Sequence, residues 1–167
     1  AKIFRSEKID THGGSIRIYI KRDKKVKIEL SVKKMLEEEE SFGIKKFKTY
    51  KEFGEKVYRI RNNVIKNIKK LKEKNKSIVG YGAPAKATTA LNFFGISEEI
   101  DFIVEDNKLK INKFVPGVTI PIKDKSQIKN KNNILIVLAW NFYEDIKKNN
   151  SSLSNNFINI KELETNN

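Results

Sequence analysis

The amino-acid sequence predicts an α/β fold: a parallel sheet with helices on both faces, preceded by a β-hairpin and a long amphipathic helix. Three observations predict it. From residue 76 onward, short apolar runs alternate with helix-like segments, the pattern of parallel strands joined by crossover helices. Between residues 47 and 74, apolar side chains recur at intervals of three or four, which is one stripe of a helix. Near the N-terminus, two alternating segments flank a glycine-containing turn, the signature of a hairpin.

The elements follow in order. Residues 2–9 and 15–21 read as strands; in the second, Ile16, Ile18 and Ile20 fall on one face and Arg17, Tyr19 and Lys21 on the other. Asp10-Thr11-His12-Gly13-Gly14 supplies the turn. A two-stranded hairpin is marginal alone in water, so it is expected to pack on something further. The chain starts at Ala1 and enters a strand at once, and we expect a fragment of a longer protein. Residues 31–41 predict a short helix with Ser31 as N-cap and Gly43 as its stop. The stripe Phe47, Tyr50, Phe53, Val57, Ile60, Val64, Ile68 and Leu71 predicts the long helix, read first as a core-packing face. Ser77-Ile78-Val79 is a strand running into Gly80-Tyr81-Gly82. A helix over 83–94 follows, with Pro84 in its first turn and Gly95 as its stop. Further strands are expected at 100–105, 118–122, 133–139 and 157–160, a weak helix at 126–131 and another at 142–149, with 149–156 a surface loop. The expected organisation is a hairpin over 1–22, a helical connection over 23–75 and the parallel-sheet domain over 76–167.

Composition excludes several functions. There is no Cys, so disulfides, thiolate metal sites and Cys nucleophiles are out; one His excludes any site with two His ligands. No Ser-His-Asp order, framed acid pair or metal cluster is visible, so no catalytic or metal-ligating residue is assigned. No apolar run approaches ~18 residues, so no membrane span is expected, and the default compartment is the cytoplasm. The net charge of +14 invites a nucleic-acid reading. However, of the 35 basic residues only Arg5, Arg17, Arg22, Arg59 and Arg61 are Arg, whereas base readout and phosphate clamping favour that side chain. The lysines alternate with Glu at 33–40 and 69–74, as on a solvated face, so no specific nucleic-acid partner is expected.

In an open parallel sheet, ligands sit at the carboxyl ends of strands. Three such ends are polar here. Gly80-Tyr81-Gly82-Ala83-Pro84-Ala85-Lys86 combines glycines, which let backbone approach a ligand, with a helix N-terminus. Lys86 opposes the helix dipole there unless an anion is near, so this turn is the best physical hint of a phosphate site. It lacks the third Gly of a dinucleotide fingerprint. Glu105-Asp106-Asn107 follows about 24 residues after Gly82, where dinucleotide folds place an acid on ribose. Ala139-Trp140-Asn141 closes the most apolar run. His12, on a turn beside Gly13, Gly14 and Ser15, suits a general base, a ligand contact or an ordinary loop, and the backbone of that turn could approach an anion.

Taken together, Thr11-His12-Gly13-Gly14-Ser15-Ile16-Arg17, Gly80 to Lys86, Val104-Glu105-Asp106-Asn107, Val115-Pro116-Gly117 with Ile120-Pro121-Ile122, and Leu138-Ala139-Trp140-Asn141-Phe142 resemble, in that order, the C-terminal part of the S-adenosylmethionine-dependent sugar C-methyltransferases. These enzymes methylate C3 of nucleotide-linked deoxysugars. The resemblance implies a Rossmann-like C-terminal domain that helps hold the nucleotide-sugar. The zinc-binding segment, the methyl-donor domain and the upstream Glu-His pair of the family have no counterpart here. The resemblance therefore implies that S-adenosylmethionine binds elsewhere in the full-length protein and that this chain alone is inactive. The hairpin would be the last edge of the methyltransferase sheet. His12, Gly13, Gly14 and Ser15 would face the substrate. Lys86, with the backbone of Gly80, Gly82, Ala83, Pro84 and Ala85, would meet the pyrophosphate, and Asp106, Asn107 and Asn141 the sugar or nucleoside. Ala87 stands where the family usually has Gly. The alternative is a stand-alone nucleotide- or dinucleotide-binding module.

Overall fold

The hairpin forms over the predicted residues. In a computed structural model that describes residues 1–73, 77–129 and 131–165, β1 (Lys2–Ile9) pairs antiparallel with β2 (Ser15–Lys21). The register sets Ile3 against Ile20, Ser6 against Ile18 and Lys8 against Ile16, with a bulge between Ile3 and Arg5. The four isoleucines therefore share one face, and all four are exposed. Helix α1 (Leu30–Phe42) follows. The predicted cap is shifted: Glu29 precedes the helix, and the Ser31 hydroxyl instead accepts the Ser6 backbone N–H at 3.2 Å, tying α1 to β1. Gly43 stops α1 in the left-handed region, φ 80°, and returns its N–H to the Glu39 and Glu40 carbonyls.

Helix α2 spans Phe47–Lys72; the predicted extension to residue 74 lies outside the described residues. The chain divides into two compact units within this helix, Ala1–Lys56 and Val57–Asn167.

The second unit holds a five-stranded parallel sheet: β3 (Ile78–Tyr81), β4 (Phe102–Val104), β5 (Ile122–Lys123), β6 (Ile134–Val137) and β7 (Asn156–Asn159). Its order is β5-β4-β3-β6-β7. The sheet starts at β3, builds outward through β4 and β5, then returns to the other side of β3 for β6 and β7. The strand order thus reverses between β3 and β6, and a crevice opens at the carboxyl ends of such a pair. Alternation along each strand divides the core. Ile78, Ile103, Ile134 and Ile136 face one side, under Val64 and Ile68 of α2 and Ala87 and Leu91 of α3 (Ala85–Phe94). Val79, Tyr81, Val104, Leu135 and Val137 face the other, covered by Tyr143 and Ile146 of α4 (Tyr143–Asn149) and by Leu153. The predicted helices on both faces are present.

Three expectations are corrected in detail. Of the strand expected at 118–122, only Ile122 pairs within β5. Thr119 sits at φ 52°, the Thr119 N–H bonds back to the Val115 carbonyl, and Phe114 meets Pro121 in a single antiparallel bridge. The Pro116-Gly117 turn and a left-handed Thr reverse the chain before a strand can start. The helix expected at 126–131 is a short 3-10 turn, Lys125–Gln127, capped by the Asp124 carboxylate accepting the Ser126 N–H at 2.9 Å; residue 130 lies outside the described residues. The loop 149–156 is not wholly on the surface: Asn150 and Ser154 are buried, and the Ser154 hydroxyl donates to the Asn133 carbonyl at 2.8 Å.

Candidate functional site

The sheet brings the three polar strand ends together. β3 ends at Tyr81 and turns through Gly82 at φ 85° into α3. A Cβ at Gly82 would come within 3.0 Å of the Ala139 Cβ, so this glycine serves both the backbone angle and the close passage of the β6 end. Gly80 has a different use. A Cβ there would lie 2.8 Å from Ile103 Cγ1 and 2.9 Å from Leu138 Cδ1, so its missing side chain makes room for the core. Pro84 caps α3 from the extended region, and Lys86 stands exposed in the first turn. Ala87 is buried in the core under that turn.

The amides of the turn are committed within the fold. Gly82 N–H donates to the Val104 carbonyl at 2.8 Å. Ala83 N–H donates to Glu105 Oε2 at 2.9 Å. The other oxygen of Glu105 accepts the N–H groups of Asp106 and Asn107, at 2.9 and 3.2 Å. Lys110 completes this knot: its ammonium donates to the Ala83 carbonyl at 2.9 Å and lies 3.4 Å from Glu105 Oε2. Burial pushes the Glu105 carboxyl up, but the Ala83 and Asn107 amides and the Lys110 ammonium outweigh it and hold the group below the usual carboxylate range. Glu105 was named in the sequence as part of a strand-end motif; that it ties the first turn of the sheet to the second is visible only in the structure.

Asp106 faces the opposite side of the sheet. It accepts the Tyr81 hydroxyl at 2.7 Å and pairs with Lys125, whose ammonium also donates to Asn150 Oδ1 at 2.8 Å. Desolvation raises the Asp106 carboxyl; Lys125 and Tyr81 lower it further, so the net shift is downward. Asn107 folds its Oδ1 onto the Leu109 N–H at 3.0 Å, a local turn contact. Asn141 is exposed, in the 3-10 turn Trp140–Phe142 that follows β6. Beside it, the Lys86 and Lys161 ammonium groups lie 5.7 and 5.8 Å from the centre of the Trp140 ring. Lys161 carried no sequence signal, being one surface lysine among many.

Gly82 to Lys86, Asp106, Asn107 and Asn141 thus share the carboxyl edge of one sheet. His12, Gly13, Gly14 and Ser15 belong to the hairpin in the other unit. There His12 adopts φ 57°, Gly13 φ 87° and Gly14 φ 113°, and the Ser15 hydroxyl donates to the Thr11 carbonyl at 3.0 Å. The three successive left-handed or extended-positive residues explain why two glycines follow the histidine. Among the described residues, no three His, Asp or Glu side chains are grouped to hold a metal ion, and no helix is long and apolar enough to cross a membrane.

Over 152 residues the chain is 33% identical to the C-methyltransferase NovU of Streptomyces niveus, a match that covers 88% of this chain and 36% of that protein. The chain therefore spans about a third of the length of this relative. The sequence profile of the C-methyltransferase C-terminal domain matches residues 10–159, nearly the whole chain, which belongs to that family.

Proposed function

We propose that this chain is the substrate-anchoring C-terminal part of an S-adenosylmethionine-dependent methyltransferase acting on a nucleotide-linked sugar. The observation that carries the reading is Lys86, exposed in the first turn of α3 beside the point where the strand order reverses. A cation opposing the helix dipole at such a crevice suits an anionic group of a bound ligand. Because the Gly82 and Ala83 amides are already used, the anion meets the helix at Ala85 and Lys86 rather than at the glycine turn.

The described residues do not fit the methyl donor. The acid that would hold a ribose, Glu105, is spent on three amides of its own turns. The same knot weighs against a stand-alone dinucleotide module. Donor binding, the zinc-binding segment and the base that removes a proton beside a keto group are assigned to other parts of a longer protein, as the share of NovU covered by this chain suggests. The exposed isoleucine face of the hairpin supports its place as the edge of the methyltransferase sheet, with His12 to Ser15 at the substrate-facing rim.

Titration calorimetry with a deoxythymidine-diphosphate sugar, with S-adenosylmethionine and NAD as controls and at two salt concentrations, tests the proposal. The expected result is binding of the sugar nucleotide only, weakened about tenfold by Lys86→Ala, since a hydrogen bond to a charged group is worth roughly that factor. Tight NAD binding, or sugar-nucleotide binding indifferent to Lys86→Ala, would refute it.

A further inference from the structure

We propose that the open end of the hairpin docks on an anionic lipid surface, through a cluster of basic side chains followed by exposed aliphatic ones, a role independent of the nucleotide-sugar reading. In the antiparallel register Lys2 stands opposite Lys21. Like charges directly opposed across two strands are destabilising, so the pairing of the hairpin itself does not favour this arrangement. The charge then accumulates. Arg22, Lys24, Lys25 and Lys27 follow, so five of the seven residues 21–27 are basic. The Lys2 ammonium donates to the Lys24 carbonyl at 2.8 Å and holds the loop against the start of β1. Farther on, the Glu29 N–H donates to the Phe4 carbonyl at 2.8 Å and pins the loop a second time. Six basic residues are thus gathered at one end of the hairpin, and all six are exposed.

The one acid in the run does not neutralise them. Asp23 turns its Oδ1 onto the Lys25 N–H at 2.8 Å, a local turn contact. Among the described residues, none of the six basic side chains is ion-paired with a carboxylate. Other lysines of the same unit are: Lys8, Lys33, Lys45 and Lys48 meet Glu38, Glu37, Glu40 and Glu52. A concentrated positive field without internal counter-charge attracts an anionic surface. Two observations favour lipid over nucleic acid. Five of the six residues are Lys, whereas phosphate clamping and base readout favour Arg. Directly after the basic run, Ile28 and Leu30 stand more than half exposed. A hydrated phosphate backbone offers these side chains no apolar surroundings. A lipid headgroup layer admits them, and lasting attachment to it takes a second signal besides charge.

The experiment sediments the whole chain with vesicles of phosphatidylcholine, and with vesicles of phosphatidylcholine and phosphatidylglycerol in equal parts, at low and high salt. The expected result is binding to the anionic vesicles only, lost at high salt. The triple variant Lys24→Gln/Lys25→Gln/Lys27→Gln is expected to bind about a hundredfold more weakly, since each basic residue near an anionic surface contributes roughly fivefold. Ile28→Ser is expected to weaken binding about tenfold. Lys48→Gln/Lys51→Gln/Lys56→Gln removes the same charge from α2 and is expected to leave the affinity nearly unchanged. All seven side chains are exposed, so the variants should keep the parent's urea midpoint. Equal binding to both kinds of vesicle, or to neither, overturns the lipid surface. So does an equal loss in the two triple variants, full affinity in Ile28→Ser, or tighter binding to a duplex oligonucleotide than to the anionic vesicles.

Discussion

Glu105 makes the strongest residue-scale argument in this domain. Its side chain is only 13% exposed, and it accepts three backbone N–H groups while facing Lys110. Removing it strands a part-buried amide at Ala83 and unties the turn between β3 and α3. Leaving such a donor unsatisfied costs roughly 1–3 kcal/mol, so Glu105→Ala is expected to lower the unfolding free energy in urea by about 2 kcal/mol. The pH dependence has a definite sign. The folded-state pKa of Glu105 is depressed, so its contribution is fully present above the ordinary carboxylate range and is lost as pH falls through the lowered folded value. Asp106, also depressed, behaves alike. The parent is therefore expected to lose more stability between about pH 7 and about pH 3 than Glu105→Ala does. Equal losses in the two proteins would show that the carboxylate does not hold the turn. This is also where sequence reading reached its limit. The position of an acid after the second strand was legible from the spacing. Its direction was not: the same Glu could reach a ribose or its own neighbours, and only the path of the 105–110 loop decides. Gly80 shows the same ambiguity, since a glycine that admits a ligand and one that admits Ile103 and Leu138 read identically.

At the scale of elements, the periodicities were the most legible feature and the turns the least. Both strands of the hairpin, α2 and α3 fall within two residues of their predicted starts and ends, because each carries a long apolar period or a Gly or Pro boundary. Thr119 at φ 52° broke an apparently good strand, and no propensity announces a left-handed β-branched residue. The stripe of α2 illustrates what periodicity leaves open. It was read as a continuous core face, yet along the helix burial changes sharply: Phe53 is 66% exposed and Ile68 fully buried. Cutting Ile68 to Ala removes packed methylenes and leaves a cavity, which costs about 2–5 kcal/mol in a core. Phe53→Ala removes a ring from solvent and is expected to change stability by less than about 0.5 kcal/mol. Urea midpoints of the two variants check this; similar losses would mean that the whole stripe is packed.

For the whole molecule, the distribution of burial between the two units sets the stability. Every buried hydrophobic residue among those described, from Val64 to Leu163, lies in Val57–Asn167, on one face or the other of the parallel sheet. In Ala1–Lys56 the buried positions are Ser6 and Gly43, neither of which brings a large apolar side chain out of water. Hydrophobic burial is the dominant favourable contribution to folding, and an ordered residue costs roughly 1–2 kcal/mol of backbone entropy, so a unit without a core cannot hold itself up by exposed ion pairs that solvent screens. The pairs between Lys33 and Glu37, Lys45 and Glu40, and Lys48 and Glu52 are of that kind. Residues 57–167, produced without the first unit, are therefore expected to unfold cooperatively with a midpoint close to that of the whole chain. The urea m-value follows the surface exposed on unfolding and should stay nearly the same, because the first unit contributes little buried area. Residues 1–56 alone should give a non-cooperative signal, with α1 and the hairpin fraying. If 57–167 instead loses its cooperative transition, the N-terminal unit supplies packing that the burial pattern does not contain. If it keeps it, the sheet that carries Lys86 is self-sufficient, and ligand binding can be dissected on that unit by itself.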